Sequence, residues 1–320
     1  MVQVKASTGL VALLGHPVGH SLSPLMHNAA FKATGLDLVY LAFDVAPGDL
    51  PAALAGLRSL GCRGANVTVP HKETIILSLD MVEPLAARIG AVNTIVHEDR
   101  CLKGYNTDGS GFLRSLRETG FNPDGKRVVI LGAGGAARAV AFTLAAAGCR
   151  RLVMVNRTLE RARDLAAALA RAGFSGTATF ELPGTGWPGD PEAARAGEPA
   201  TGLQAEVATA HLVVNTTSLG MWPRVETSPL PPGWLQAGQW VYDLVYNPLE
   251  TRFLQEARHQ GCRVVAGLDM LLYQGAEAFT LWTGKDAPIA VMRQALQEAV
   301  PATVPGGPVA RLNEDSQPGR

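Results

Sequence analysis

Net charge is absent from this sequence: twenty-eight Lys and Arg side chains balance twenty-eight Asp and Glu in 320 residues. No overall field exists to hold nucleic acid or an anionic membrane, and small molecules are the expected partners. Cysteine is scarce as well. The four present, Cys62, Cys101, Cys149 and Cys262, have no CxxC spacing, which argues against a disulfide framework or a zinc site. They read as small buried thiols in a reducing compartment, with no metal expected. Long uninterrupted apolar runs are lacking too. The longest candidate, VVILGAGGAARAVAFTLAAAG, carries Arg138 and a glycine cluster in its middle and reads as strand, turn and helix, not as a membrane span. Near the start, LVALLG is cut off by His16 and Pro17; it is too brief for a secretory signal, and a cytoplasmic location is expected. Lysine is sparse, with six against twenty-two arginines, so the setting of each one is informative.

What is there in quantity is apolar residues, 47% of the chain, enough with this length to bury the cores of two domains. Strand-like runs (LVALLG, LVYLAFDV, GANVTVP, AVNTIVH) alternate with helical ones (SPLMHNAAFKATG, DLPAALAGLRSLG, EPLAARIG), a rhythm that predicts α/β architecture with a mostly parallel sheet. A second series of buried strands, each ending in polar or glycine-rich turns, follows from Gly109. The boundaries expected are a substrate-binding domain over 1–108, completed by helices within 271–300, and a Rossmann-type domain over 109–270. The Pro, Gly and Ala-rich residues 184–202 read as an exposed insertion and 301–320 as a disordered tail.

Gly132, Gly134 and Ala137 stand in G-x-G-x-x-A spacing directly after a buried strand and at the opening of an alanine-rich helix. Small residues there let backbone N–H groups approach a pyrophosphate, while the helix start supplies partial positive charge. The competing explanation is that these glycines only permit close helix and sheet packing. At the end of the next strand, RLVMVN, an acidic residue would accept hydrogen bonds from the ribose of NAD. Asn156 stands there instead, followed by Arg157, Thr158 and, one turn on, Arg161. A planar cation, a hydroxyl and no repelling carboxylate suit a 2′-phosphate, so NADP is the expected cofactor. Otherwise Thr158 caps the following helix and the arginines are solvated.

In the first domain Ser21 and Ser23 lie just ahead of a helix and could hold a carboxylate. Ser23 before Pro24 also reads as an N-cap. Asn66 and Thr68 with Lys72, then Asn93, then Asn106 with Asp108 offer polar groups at three successive strand ends, the place where open α/β sheets bind ligands. Asx turns would explain any one Asn alone; together they match a pocket for a polyhydroxylated acid. In NVTVPHKE the alternation of Asn66 and Thr68 with Val67 and Val69 reads as a half-buried strand. Lys72 follows it. An arginine could hold an anion there but not exchange a proton near neutral pH, whereas a lysine partly removed from water can. Asp108 is the candidate carboxylate to orient it; a surface lysine is the plain alternative.

These residues, with GHPVGHSLSPLMHNAAF, GANVTVPHK, GAVNT, GYNTDGSGF, GAGGAAR, NRT, NTTSLGM, YDLVYNPLET and GLDMLLYQGAEAF, make the chain resemble the shikimate dehydrogenase family over nearly its whole length. The resemblance implies reversible, NADP-dependent reduction of 3-dehydroshikimate to shikimate in aromatic amino acid biosynthesis, with Lys72 and Asp108 as the catalytic pair. It implies that Ser21 and Ser23 bind the substrate carboxylate, and that Asn66, Thr68, Asn93, Tyr246 and Gln274 contact its ring. For the cofactor it implies Gly132, Ala133, Gly134, Gly135 and Ala136 at the phosphates and Asn156, Arg157 and Thr158 at the 2′-phosphate. Thr216, Ser218, Met221, Gly267 and Met270 would line the path to the nicotinamide. The insertion and the charged Asp269 depart from the family pattern. Rival readings are a quinate/shikimate dehydrogenase, often NAD-dependent, a methylene-tetrahydrofolate dehydrogenase, and a non-catalytic ligand sensor of the same fold. A monomer or homodimer is expected.

Overall fold

The computed structural model of the protein describes residues 4–182 and 201–300. The expected tail at 301–320 and residues 184–200 of the expected insertion lie outside the described residues, while Thr201 and Gly202 open a helix. Among the described residues β1 (Gly9–Gly15), α1 (Ser23–Ala33), β2 (Leu38–Asp44), α2 (Leu50–Ser59), β3 (Gly64–Val67), β4 (Met81–Val82), α3 (Pro84–Ile89), β5 (Thr94–Glu98) and β6 (Cys101–Tyr105) form the first α/β unit. Its sheet runs β2-β1-β3-β5-β6-β4. Helix α4 (Asp108–Glu118) then leads to β7 (Arg127–Leu131), α5 (Gly135–Ala146), β8 (Arg151–Asn156), α6 (Leu159–Arg171), β9 (Thr177–Glu181), α7 (Thr201–Ala208), β10 (Leu212–Asn215), β11 (Trp240–Asp243), α8 (Arg252–His259) and β12 (Arg263–Ala266). These strands make a parallel sheet in the order β12-β11-β10-β7-β8-β9. The chain returns through α9 (Leu268–Thr283) and α10 (Ile289–Ala299), which pack on the first sheet with α1. This is the two-domain α/β architecture expected from the sequence.

Period-two alternation builds both cores. Val128 and Ile130 face one hydrophobic cluster of the second sheet while Val129 and Leu131 face the other, because side chains of a strand point alternately to its two faces and helices cover both. The same rule corrects the reading of NVTV as half-buried. Of NVTV only Asn66 and Val67 belong to β3, whose four residues are all buried because the strand lies between β1 and β5 and both of its faces are covered; Val69, expected on the same face as Val67, is 67% exposed past the strand's end. Ala65 and Val67 join the cluster beneath α2, whereas Asn66 points to the opposite side and meets Tyr40. The strand ends at Val67, so Thr68 lies beyond it. β5 is antiparallel to both β3 and β6, a departure from pure βαβ winding that brings the start of β5 and the end of β6 to the same edge as the end of β3.

Helix α9 is fastened to the first sheet by Trp282, which is 1% exposed and donates its indole N–H to the Ile95 carbonyl at 2.9 Å. Gly64 makes room for it: a Cβ there would stand 2.3 Å from that carbonyl and 2.6 Å from the indole nitrogen. A second close approach joins the two crossover helices, where a Cβ on Gly111 of α4 would lie 2.6 Å from the Gln274 backbone nitrogen and 2.8 Å from its Cβ. Backbone cannot yield as a flexible side chain does, so Gly111→Ala should cost about 1–3 kcal/mol of unfolding free energy. A urea midpoint unchanged from wild type would contradict this packing.

One carboxylate of the second core carries a pH signature. Burial pushes Asp243 up to about 7, against the pull of hydrogen bonds from Thr251 Oγ1, the Val245 amide and Asn215 Nδ2. Its folded pKa lies above the unfolded value of about 3.9, so the native state retains a proton that the unfolded chain has lost. The stability this contributes is fully present below about pH 4 and is lost as pH rises through about 7. Urea unfolding of Asp243→Asn across that window should show a flatter pH profile than wild type.

Candidate active site

The carboxyl ends of β1 and β3, the start of β5 and the end of β6 converge on one edge of the first sheet. The amide of Val92 donates to the Lys72 carbonyl at 2.8 Å and that of Val67 to the Asn93 carbonyl at 2.8 Å. These bonds place Lys72 and Asn93 side by side. Asn106 turns the chain after β6 by accepting from the Asp108 amide at 3.1 Å while donating to the Ala91 carbonyl at 2.9 Å. The Asx turn weighed from sequence is therefore its observed arrangement, and it sets Asp108 in the first turn of α4, where the helix dipole favours a carboxylate.

Lys72 Nζ stands 2.5 Å from Asp108 Oδ2, with the two side chains 15% and 5% exposed. Asp108 Oδ1 accepts from Asn93 Nδ2 at 2.9 Å. Both carboxylate oxygens are thus occupied and the ammonium is aimed. Asn93 is committed on every side: its Nδ2 also faces Thr107 Oγ1 at 2.9 Å and Gln274 Oε1 at 3.3 Å, while its Oδ1 accepts from the Thr107 amide at 2.8 Å. Gln274, on α9, donates in turn to the Leu271 carbonyl. Asn66 donates to the Asn93 carbonyl and Thr94 Oγ1, and its Oδ1 accepts from the Tyr40 hydroxyl at 2.8 Å. Its one remaining capacity is a lone pair on Oδ1. Thr94, Thr107 and Tyr40 were missed from sequence, although Thr94 closes GAVNT and Thr107 stands inside GYNTDG; only Tyr40 lay outside any motif.

At the other end of the pocket Ser23 is buried and is not the helix cap anticipated for it: Leu22 holds that position without a side-chain bond. The Ser23 amide donates to Ser21 Oγ at 3.2 Å. Burial holds the Tyr40 hydroxyl well above its ordinary pKa, and a hydrogen bond with Ser23 partly offsets this. Tyr246, on the loop after β11, crosses from the second unit to the first. Burial raises its pKa too, opposed by a hydrogen bond with Ser21. Thr68 is half-buried beyond the end of β3.

Across the cleft the strand order reverses between β7 and β10, the crevice where parallel sheets bind nucleotides. The turn Gly132, Ala133, Gly134, Gly135, Ala136 sits there. Gly132 has φ +116°, and a Cβ on it would meet Thr216 Oγ1 at 2.4 Å; Thr216 is fixed by donating to the Leu131 carbonyl at 2.7 Å. Helix α5 starts without a side-chain cap, which leaves its first N–H groups for an anionic ligand. The residues present therefore fit a dinucleotide pyrophosphate. Gly135 faces the first unit so closely that a Cβ on it would lie 2.9 Å from Lys72 Cβ.

At the end of β8 Asn156 donates to the Thr158 carbonyl at 2.9 Å, and Arg157 and Thr158 are exposed. Thr158 occupies the N-cap position of α6 without making the side-chain bond that the capping alternative required. Arg161 reaches across to Glu73 at 2.7 Å. Ser218 is exposed and Met221 half-buried after β10. Met270 is packed into the second core and Gly267 abuts the Leu244 carbonyl. Asp269 is tied to Arg293 of α10. An open hollow at the opposite edge of the second sheet, around His211, Trp240 and Arg263, is lined by no carboxylate and offers no comparable acid–base pair. Among the described residues no His, Cys, Asp and Glu cluster could hold a metal, and no helix is long and apolar enough to cross a membrane.

Family models match three stretches of the chain: shikimate dehydrogenase substrate binding domain over residues 13–95, shikimate / quinate 5-dehydrogenase over 115–180, and shikimate 5′-dehydrogenase C-terminal domain over 267–297. A curated relative from Moorella thermoacetica, named shikimate dehydrogenase (NADP(+)), is 70% identical over 310 residues, covering 97% of this chain and 99% of its own length. The solved shikimate 5-dehydrogenase of Thermus thermophilus, in complex with NADP(H) and shikimate, is 39% identical with a TM-score of 0.77 over 91% of this chain and 100% of that one. A quinate dehydrogenase from Corynebacterium glutamicum in complex with NAD is 32% identical, with a TM-score of 0.78 over 91% and 99%.

Because the Asn93 amide joins β5, α4 and α9 through one buried side chain, Asn93→Ala should leave several polar groups unpaired and cost about 1–3 kcal/mol. Chemical denaturation measures this, and a loss below about 0.5 kcal/mol would deny Asn93 its organising part.

Proposed function

We propose, since the chain belongs to the shikimate dehydrogenase family, that it catalyses the reversible reduction of 3-dehydroshikimate to shikimate with NADPH. The observation that carries this reading is the shielded Lys72–Asp108 pair lying directly against the glycine turn that suits a dinucleotide. Asn156, where an acidic residue would favour NAD, supports NADP over NAD and a shikimate over a quinate enzyme.

NADPH, when bound, supplies the hydride for the ketone carbon. Lys72 Nζ donates a proton to the ketone oxygen as negative charge develops there, and in the reverse direction takes it from the hydroxyl. Asp108 holds the ammonium in place, and Asn93, bonded to Asp108, stands beside it toward the substrate ring. Ser21 and Ser23, ahead of α1, hold the substrate carboxylate, with Tyr246 closing over them. Asn66, through its free Oδ1 lone pair, accepts from a ring hydroxyl, and Thr68 and Gln274 complete the wall. The turn from Gly132 to Ala136 takes the pyrophosphate, and Asn156, Arg157, Thr158 and Arg161 surround the 2′-phosphate. Thr216, Ser218, Met221, Gly267 and Met270 shape the nicotinamide side. The two units bring ketone and cofactor to near-attack distance, which is where much of the rate arises. The enzyme works as a monomer or a homodimer on small cytoplasmic metabolites.

Lys72→Ala should lower turnover by about 10²- to 10⁴-fold, followed as NADPH absorbance lost with 3-dehydroshikimate. Affinity for NADPH, titrated by its fluorescence, should change little. Equal turnover by the variant would remove Lys72 from the mechanism.

A further inference from the structure

Glu73 follows Lys72 directly but takes no part in its ion pair. Its carboxylate crosses the cleft to Arg161 of α6 at 2.7 Å, with the two side chains 37% and 51% exposed. From there it overlooks the phosphate turn: of all surrounding atoms, Glu73 Oε1 is the one nearest to where a Cβ of Gly134 would be, at 3.9 Å. Burial pulls the Arg138 guanidinium of α5 below its ordinary pKa and the Glu73 charge offsets part of this, while Arg138 spans the same cleft to the Ile89 carbonyl. An anion of the first unit therefore sits among the cations and the helix start that the second unit presents to anions.

We propose that Glu73 is a cofactor-selectivity residue, an internal anion that occupies Arg161 across the cleft until a 2′-phosphate displaces it. The inference rests on the reading of Arg161 as part of the 2′-phosphate subsite. A nucleotide without that phosphate leaves the Glu73–Arg161 pair intact and gains nothing from Arg161. One with it exchanges a single exposed carboxylate for a more highly charged phosphate that accepts more hydrogen bonds. The pair also joins the segment bearing Lys72 to the cofactor-binding helix, so arrival of the cofactor frees the residue next to the proton donor.

Isothermal titration of the full chain with adenosine 2′,5′-bisphosphate and with adenosine 5′-monophosphate tests this directly. Glu73→Gln should lower the Kd of the bisphosphate about two- to fivefold, the scale of an exposed ion pair. The monophosphate should be unaffected, and the gain should vanish when Arg161→Ala is added. Unchanged or weakened bisphosphate binding by Glu73→Gln overturns the inference, as does an equal gain for both nucleotides, which would mark Glu73 as general repulsion. If Arg161→Ala alone leaves bisphosphate binding untouched, the 2′-phosphate assignment itself fails and the inference with it.

Discussion

An ammonium and a carboxylate withdrawn from water, Lys72 and Asp108, are the constraint around which the rest of the pocket is built. Removing two charges from solvent costs several kcal/mol per ion, and their mutual attraction offsets this only when the remaining hydrogen-bonding capacity is met. Here it is met by Asn93, whose amide bonds the second carboxylate oxygen, and by Asn106, whose side chain shapes the turn that presents Asp108. A buried network of this kind stands or falls together. That is why polar side chains stand at three strand ends, where an ordinary core would place leucines.

The two sheets serve this pair differently. The first contributes chemistry through its mixed winding: had β5 run parallel to β3, Asn93 would lie at the far edge of the sheet and Asp108 would have no second partner. The second contributes shape, since its glycines let the backbone of one unit touch the lysine of the other. The missing side chain at Gly135 sets how near the two units come at Lys72.

Much of this was legible in the residues themselves. The G-x-G-x-x-A turn and the buried strands of the second sheet follow from spacing and residue type, because those signals are local; Asp108 could be named only as a candidate partner for Lys72, since thirty-six residues separate them. What escaped was long-range. Alternation in NVTV could not say that both faces of β3 are covered, since that depends on α9, some two hundred residues later in the chain. Ser23 looked like a cap because serine before proline usually is one, yet its hydroxyl turns instead to Tyr40, a residue with no motif around it. Arg161 was correctly seen as a cation near the end of β8, but its partner Glu73 lies on the other unit and only the tertiary structure joins them.

The fastening of Trp282 to Ile95, made possible by Gly64, has a bearing on how the molecule is born. As the polypeptide leaves the ribosome, the sheet that will hold the substrate emerges early, but the helix that shields one of its faces is translated only after the whole nucleotide-binding unit. Val11, Leu13 and Tyr40, which end in the same cluster as Phe279 and Trp282, are left without that cover throughout. Contacts this distant along the chain form slowly and leave apolar surface open to aggregation. The nascent enzyme must therefore complete its middle before its beginning can close.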